Sequence, residues 1–257
     1  MKSKFRIALI VAFLLATFSQ TTLAQKFIKL DAQLKANSKP MPAKRKGFTD
    51  VGRYQFGNYQ VISGKSGWTK TTTKSPLFQD NTTTNSSTKK SFVFVDHQAD
   101  TANANIQIRE NIKSYNNELF ARTFLNWNRD ELLEGKGIFE TDFKFSTNTS
   151  AWKLAVIYPL ALEKDGRLYA DYKTPFKGIL TNNKTYIEIR EVTQNEEGKK
   201  SFLSPVLGYE FWLDSESLAA VQVVPMSKMN VWIKEDLDPK LKFILASGAA
   251  ALLIKTQ

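Results

Sequence analysis

The chain has 257 residues, no cysteine, one histidine and a formal charge of +11 at neutral pH. That length suffices for one or two domains with a proper core. The absent cysteines exclude disulfides, a lipid anchor on cysteine and any Cys/His zinc centre, and a lone His97 cannot build a histidine metal site within one chain.

Residues 1–24 read as a secretory signal peptide. Lys2, Lys4 and Arg6 form a charged start, Ile7 to Ala16 is unbroken apolar sequence, and Thr22-Leu23-Ala24 sets small residues before a cut. The mature chain is expected to start at Gln25. An exported chain without disulfides fits a bacterial envelope, periplasmic or extracellular.

Residues 25–49 read as a basic linker with Pro40 and Pro42. Seven basic residues lie there against Asp31 alone, and Lys26, Lys29, Lys44, Arg45 and Lys46 could meet an acidic surface such as anionic lipid or polysaccharide. Residues 47–257 hold 26 basic and 24 acidic residues. The excess charge therefore sits on the tail, and nucleic acid is not an expected partner because the body lacks a basic surplus.

From residue 50 the chain reads as short strands bounded by turn signals. The expected strands are 54–62, 91–96, 105–109, 118–126, 137–146, 152–163, 167–173, 185–193, 201–203, 208–213, 218–224 and 230–234. Residues 69–90, rich in Thr, Ser, Asn and Lys, read as a long mobile loop. Residues 128–134 read as one or two helical turns. Phe139, Thr141, Phe143 and Phe145 alternate with Glu140, Asp142 and Lys144, the pattern of a half-buried antiparallel strand.

Asp238-Pro239 then opens a helix over 239–254. Asp is a good cap and Pro a good first helical residue. From Phe243 to Ile254 every residue except Ser247 is apolar or glycine, so the helix needs apolar surroundings on all sides. It is too short for a bilayer, which takes about 20 residues, so the mature chain carries no expected transmembrane helix. The expected fold is mainly β, an antiparallel barrel or sandwich of about 12 strands around a C-terminal hydrophobic helix, in one domain over 50–257.

Chemistry is sparse. His97 ends a strand at a polar loop, and neither a phosphate-binding glycine loop nor Gly-x-Ser-x-Gly occurs. Glu140 and Asp142 share a strand face as some retaining glycosidases arrange their acids. Lys144 and Phe145 stand where a third acid would fall, and a second acid about 5 Å away is needed for retaining hydrolysis. A solvated face with Lys144 as charge partner is the plainer account. Five tryptophans (Trp68, Trp127, Trp152, Trp212, Trp232) could stack sugars or touch lipid. Trp212 and Trp232 stand out as binding candidates, because each points opposite to its aliphatic strand neighbours. No cofactor is implied.

The last 50 residues resemble the tubby C-terminal-like superfamily of tubby proteins, LURP-one proteins and phospholipid scramblases. The likeness rests on the hairpin Tyr209 to Leu213 and Ala219 to Val223, the strand Val231-Trp232-Ile233, and the hydrophobic helix from Leu241 to Ile254. It implies a 12-stranded barrel wrapped around that helix. Tubby proteins bind phosphoinositides through basic residues with no counterparts here. The functional expectation is an exported envelope protein for binding or structure, without catalysis. The alternatives are a carbohydrate hydrolase using Glu140 and Asp142, and a lipid carrier with an empty apolar cavity beside the helix.

Overall fold

Asp238 caps the terminal helix as expected, its carboxylate accepting from the backbone N–H of Lys240 at 2.9 Å. The helix runs Pro239–Lys255, and each residue from Phe243 to Ile254 is buried. In this computed structural model, which describes residues 27–47, 51–74, 81–97, 100–115, 131–147, 150–164, 167–170, 175–201 and 204–255, the helix lies inside a barrel-shaped sheet. The expected signal peptide, the strand at 118–126 and residues 128–130 fall outside the described residues, and the helical turns expected over 128–134 are corrected at 131–134, which open a strand paired with its neighbour.

The strands in chain order are β1 (Met41–Pro42), β2 (Lys44–Lys46), β3 (Arg53–Phe56), β4 (Tyr59–Ser66), β5 (Lys70–Lys74), β6 (Asn81–Asp96), β7 (Thr101–Tyr115) and β8 (Glu131–Phe145). Then come β9 (Trp152–Pro159), β10 (Ala161–Lys164), β11 (Arg167–Ala170), β12 (Lys177–Thr181), β13 (Tyr186–Val192), β14 (Gly208–Leu213), β15 (Glu216–Gln222) and β16 (Asn230–Ile233). Among the described residues there are two α-helices, α1 (Ala32–Ala36) and the terminal α2 (Pro239–Lys255), and a short 3-10 turn at Met226–Lys228. Fourteen strands make one antiparallel sheet, and β10–β11 form a separate hairpin.

The sheet runs β1-β16-β15-β14-β13-β12-β9-β8-β7-β6-β4-β3-β2, with β5 beside β6. Its two ends are consecutive pieces of one segment. Met41 pairs with Val231 while Lys46 pairs with Arg53, and the intervening Ala43 N–H donates to Met229 O at 2.9 Å. Residues 41–46 thus stitch the first edge to the last and nearly close the barrel, which removes exposed strand edges.

Contacts of α2 on several sides define the interior. The Phe243 ring meets those of Phe94, Phe145 and Tyr59, on β6, β8 and β4, with centroids 5.6–6.3 Å away. A Cβ built on Gly248 would lie 3.1 Å from Phe211 on β14 and 3.3 Å from Leu180 on β12. The run Ala246 to Ala251 is therefore small because the strands approach the helix closely there. Ser247 meets its own need by donating to Phe243 O at 2.8 Å.

Two expectations need correcting. Residues 27–46 are not a linker. Besides closing the barrel, they lay α1 across its outside, and Ile28 and Leu34 are 2 % and 0 % exposed against Ala220, Trp232, Val192 and Leu207. Asp31 caps α1, and hydrogen bonds from Lys29 N–H to Gln194 O and Glu235 N–H to Asn37 O, both 2.9 Å, pin its flanks. Nor is 69–90 a loop throughout. Lys70–Lys74 form β5 and pair with residues 83–87 of β6, and β6 pairs with β7 from Asn81 to Val95. The expected strand 54–62 is itself a hairpin, β3–β4, turning at Gly57 with φ +52°.

Candidate functional site

Glu140 and Asp142 do occupy the outer face of β8, alternating with buried Phe139, Thr141 and Phe143. Each faces a cation on a neighbouring strand. Arg109 of β7 donates to Glu140, and Lys153 of β9 lies 3.5 Å from Asp142. Paired outward carboxylates on a convex face do not converge on a substrate as general acid and nucleophile must. Among the described residues no group of three His, Cys, Asp or Glu is placed to hold a metal ion.

The two tryptophans diverge. Trp232 is only 3 % exposed, because Phe27 meets it edge-on at 5.6 Å and the α1 segment covers it. It is not a surface aromatic, which explains how β16 can be apolar on both faces. Trp212 is half-buried. Its indole N–H donates to Glu210 Oε2 at 3.1 Å, and the Arg190 guanidinium lies 4.4 Å above its ring. Glu210 Oε1 accepts the Asp31 N–H at 2.8 Å, so this group ties the α1 segment to the barrel. Burial raises the Glu210 pKa, while those two donors pull it down.

Two arrangements bring together residues that sequence reading did not single out. At the barrel mouth where α2 ends, the Lys255 ammonium sits 3.8 Å from the centre of the Tyr158 ring and 5.9 Å from that of Tyr209. The Tyr158 hydroxyl donates to Glu110 Oε1 at 3.4 Å, and Ser86 Oγ donates to Oε2 at 3.1 Å. Gly137, opposite Tyr158 in register, is required there: a Cβ would lie 2.3 Å from the ring. Burial pushes the Lys255 ammonium down to about 8 against the pull of Glu191 and Glu110. Burial also raises the hydroxyl pKa values of Tyr158 and Tyr209 and the carboxyl of Glu191.

The second arrangement is a groove of about 310 Å³ on the outer face of β5 to β8. Register builds it from two rows across four strands. One is Thr72, Asn85, Asn111 and Lys136, and the other is Lys70, Ser87, Arg109 and Ile138. Strand spacing makes each row about 14 Å long, with the rows about 7 Å apart. Asn111 Nδ2 donates to Asn85 Oδ1 at 2.6 Å across the floor. Comparison with protein-family models, curated proteins and solved structures gives no match. The groove offers three cations, two amides, three hydroxyls and the Glu110 carboxylate on a rigid sheet, which makes it a recognition surface.

The remaining candidates take lesser places. His97 is exposed at the end of β6, and Lys44, Arg45 and Lys46 are exposed along β2. Lys29 Nζ donates to Gln194 at 3.4 Å. Lys26 and Trp127 lie outside the described residues, and Trp152 is core. Trp68 is 94 % exposed between β4 and β5. Among the described residues no helix is long and apolar enough to cross a membrane.

Proposed function

We propose that the protein is an exported cell-envelope binding protein without catalytic activity, which engages its ligand on the outside of the barrel. The observation that carries this is the occupant of the lumen. From Phe243 to Ile254 the helix is buried on all sides by the inner face of the sheet, so the interior that other barrels offer to ligands is taken by the chain itself. A lipid carrier would need an apolar void beside that helix, and the packing at Phe243 and Gly248 argues against one. The outward ion pairs of Glu140 and Asp142 argue against the hydrolase. The same proposal sets the chain beside the tubby C-terminal-like barrels, on its late hairpin, strand and terminal helix alone, and carries over none of their phosphoinositide chemistry.

The test is incubation of the purified protein with soluble envelope and extracellular polysaccharides, followed by size analysis of the polymer and of the complex. Retention of protein on polymer of unchanged length is expected. Shortening of any polymer by the wild type, lost in E140Q/D142N, would overturn the non-catalytic reading.

A further inference from the structure

We infer that the outer groove of β5–β8 is a binding site for an acidic polysaccharide, with Trp68 as the stacking platform at its Lys70 end. This deepens the binding reading above and rests on it.

Trp68 is the observation that needs explaining. A large aromatic at 94 % exposure forfeits its burial energy, and an indole held in water is a common mark of a recognition surface. Its position is fixed. The Gly67 N–H donates to Lys89 O at 2.7 Å, and the hydroxyls of Thr69 and Thr88 lie 2.7 Å apart. Both neighbours of Trp68 are thus fastened to β6, one and two residues beyond Ser87 of the groove. Lys70, two residues on, pairs with Ser87 and starts one groove row. The tryptophan therefore stands beside the groove on a tethered backbone.

The groove chemistry matches a charged sugar better than other ligands. The C–H face of a pyranose is apolar and packs on an indole. Its hydroxyls need neutral donors and acceptors, which Thr72, Asn85, Asn111 and Ser87 supply. Its acid groups need cations, and Lys70, Arg109 and Lys136 line the same floor. Glu140 holds Arg109 in place from the adjoining row, leaving the two lysines at opposite ends of the groove. Ser86 and Glu110 also line the groove, but the Glu110 carboxylate alternates towards the inner face and accepts from Ser86 and Tyr158, so three cations stand against one already engaged carboxylate. An apolar ligand finds only Ile138 in the floor. The volume lies at the lower end of ligand sites, about 300–1,000 Å³, but the groove is open, as an internal segment of a polymer requires.

The experiment titrates the full chain with polygalacturonate, with dextran sulfate and with neutral dextran, at low salt and at 0.5 M salt. Intrinsic fluorescence and co-elution are the readouts. At least one of the two polyanions should bind, its affinity falling at high salt as exposed charge contacts are screened, and dextran should not bind. W68A and K70A/K136A should each weaken binding at least tenfold. W68F should keep most of the affinity while losing the fluorescence change. All these side chains are surface groups, so melting temperatures serve as the folding control. Binding of neither polyanion would overturn the site, and so would binding unchanged in W68A and in K70A/K136A, which would put the attachment elsewhere, such as the exposed Lys44–Lys46 strand. Failure of the two readings is distinguishable: a polymer bound but shortened contradicts the non-catalytic reading alone, whereas an intact polymer bound equally well by wild type, W68A and K70A/K136A contradicts the groove alone.

Discussion

Replacing Lys255 by Met should stabilise the protein at neutral pH and do nothing at high pH. The ammonium is enclosed at the barrel mouth by Tyr158, Tyr209, Glu191 and Glu110, and burial pushes its pKa from 10.5 down to about 8. The unfolded chain therefore binds a proton more readily than the folded chain between those values. Stability is lowest below about pH 8, where the buried charge must be carried, and rises as pH climbs towards 10.5. At about 1.4 kcal/mol for each tenfold change, the cost below pH 8 is roughly 3 kcal/mol. Attraction to the two glutamates is already within that net figure, and the cation–π contact with Tyr158 offsets part of the remainder. Burial raises both tyrosine hydroxyls, so they act in the opposite sense: their contribution holds below pH 10 and is lost above it. Urea unfolding of wild type and K255M at pH 7 and pH 9.5 measures the effect. K255M should be more stable by about 1–3 kcal/mol at pH 7, with the gap less than about half as large at pH 9.5 and closing as the pH passes the unfolded value of 10.5. A gap of constant size at both pH values, or a K255M protein less stable at pH 7, would refute the argument that burial of charge dominates here.

Gly248→Leu should cost about 1–3 kcal/mol or more, read as a lower urea midpoint, since Phe211 and Leu180 leave no room beyond a Cβ. Leu34→Ala should cost about 2–5 kcal/mol, because that side chain is fully enclosed between α1 and the barrel, and a chain starting at residue 50 should lose its cooperative melt. E140Q/D142N should change stability by no more than about 1 kcal/mol, both ion pairs being largely at the surface, with a chemical melt as the check. Truncation after Asp238 should yield a molten or insoluble chain, tested by near-UV circular dichroism.

What the sequence revealed depended on whether the signal was local. The cap at Asp238-Pro239 and the unbroken apolar run made α2 readable to within a residue of its end. Alternation made the face assignment of Phe139 to Phe145 readable too. β5 and the first half of β6 carry no apolar alternation, because β5 and the outer face of β6 meet water. Only the strand preference of threonine marked them. The α1 segment was disguised by lysines and prolines, its fold-making content reduced to Ile28, Leu34 and the Asp31 cap. Trp232 was ambiguous for a non-local reason: its cover comes from residues about 200 positions earlier. The groove and the Lys255 mouth are assembled by register across four or more strands, and pairing register is not legible in one chain.

The central claim is that α2 is the core of the barrel and leaves recognition to the outer face. Amide hydrogen exchange across residues 243–254 in the intact, folded protein tests it most directly. These amides should be the slowest in the chain, exchanging only by global unfolding with an opening free energy equal to that from urea. Exchange of this helix well before β14 and β15, at a free energy clearly below the global value, would contradict the account.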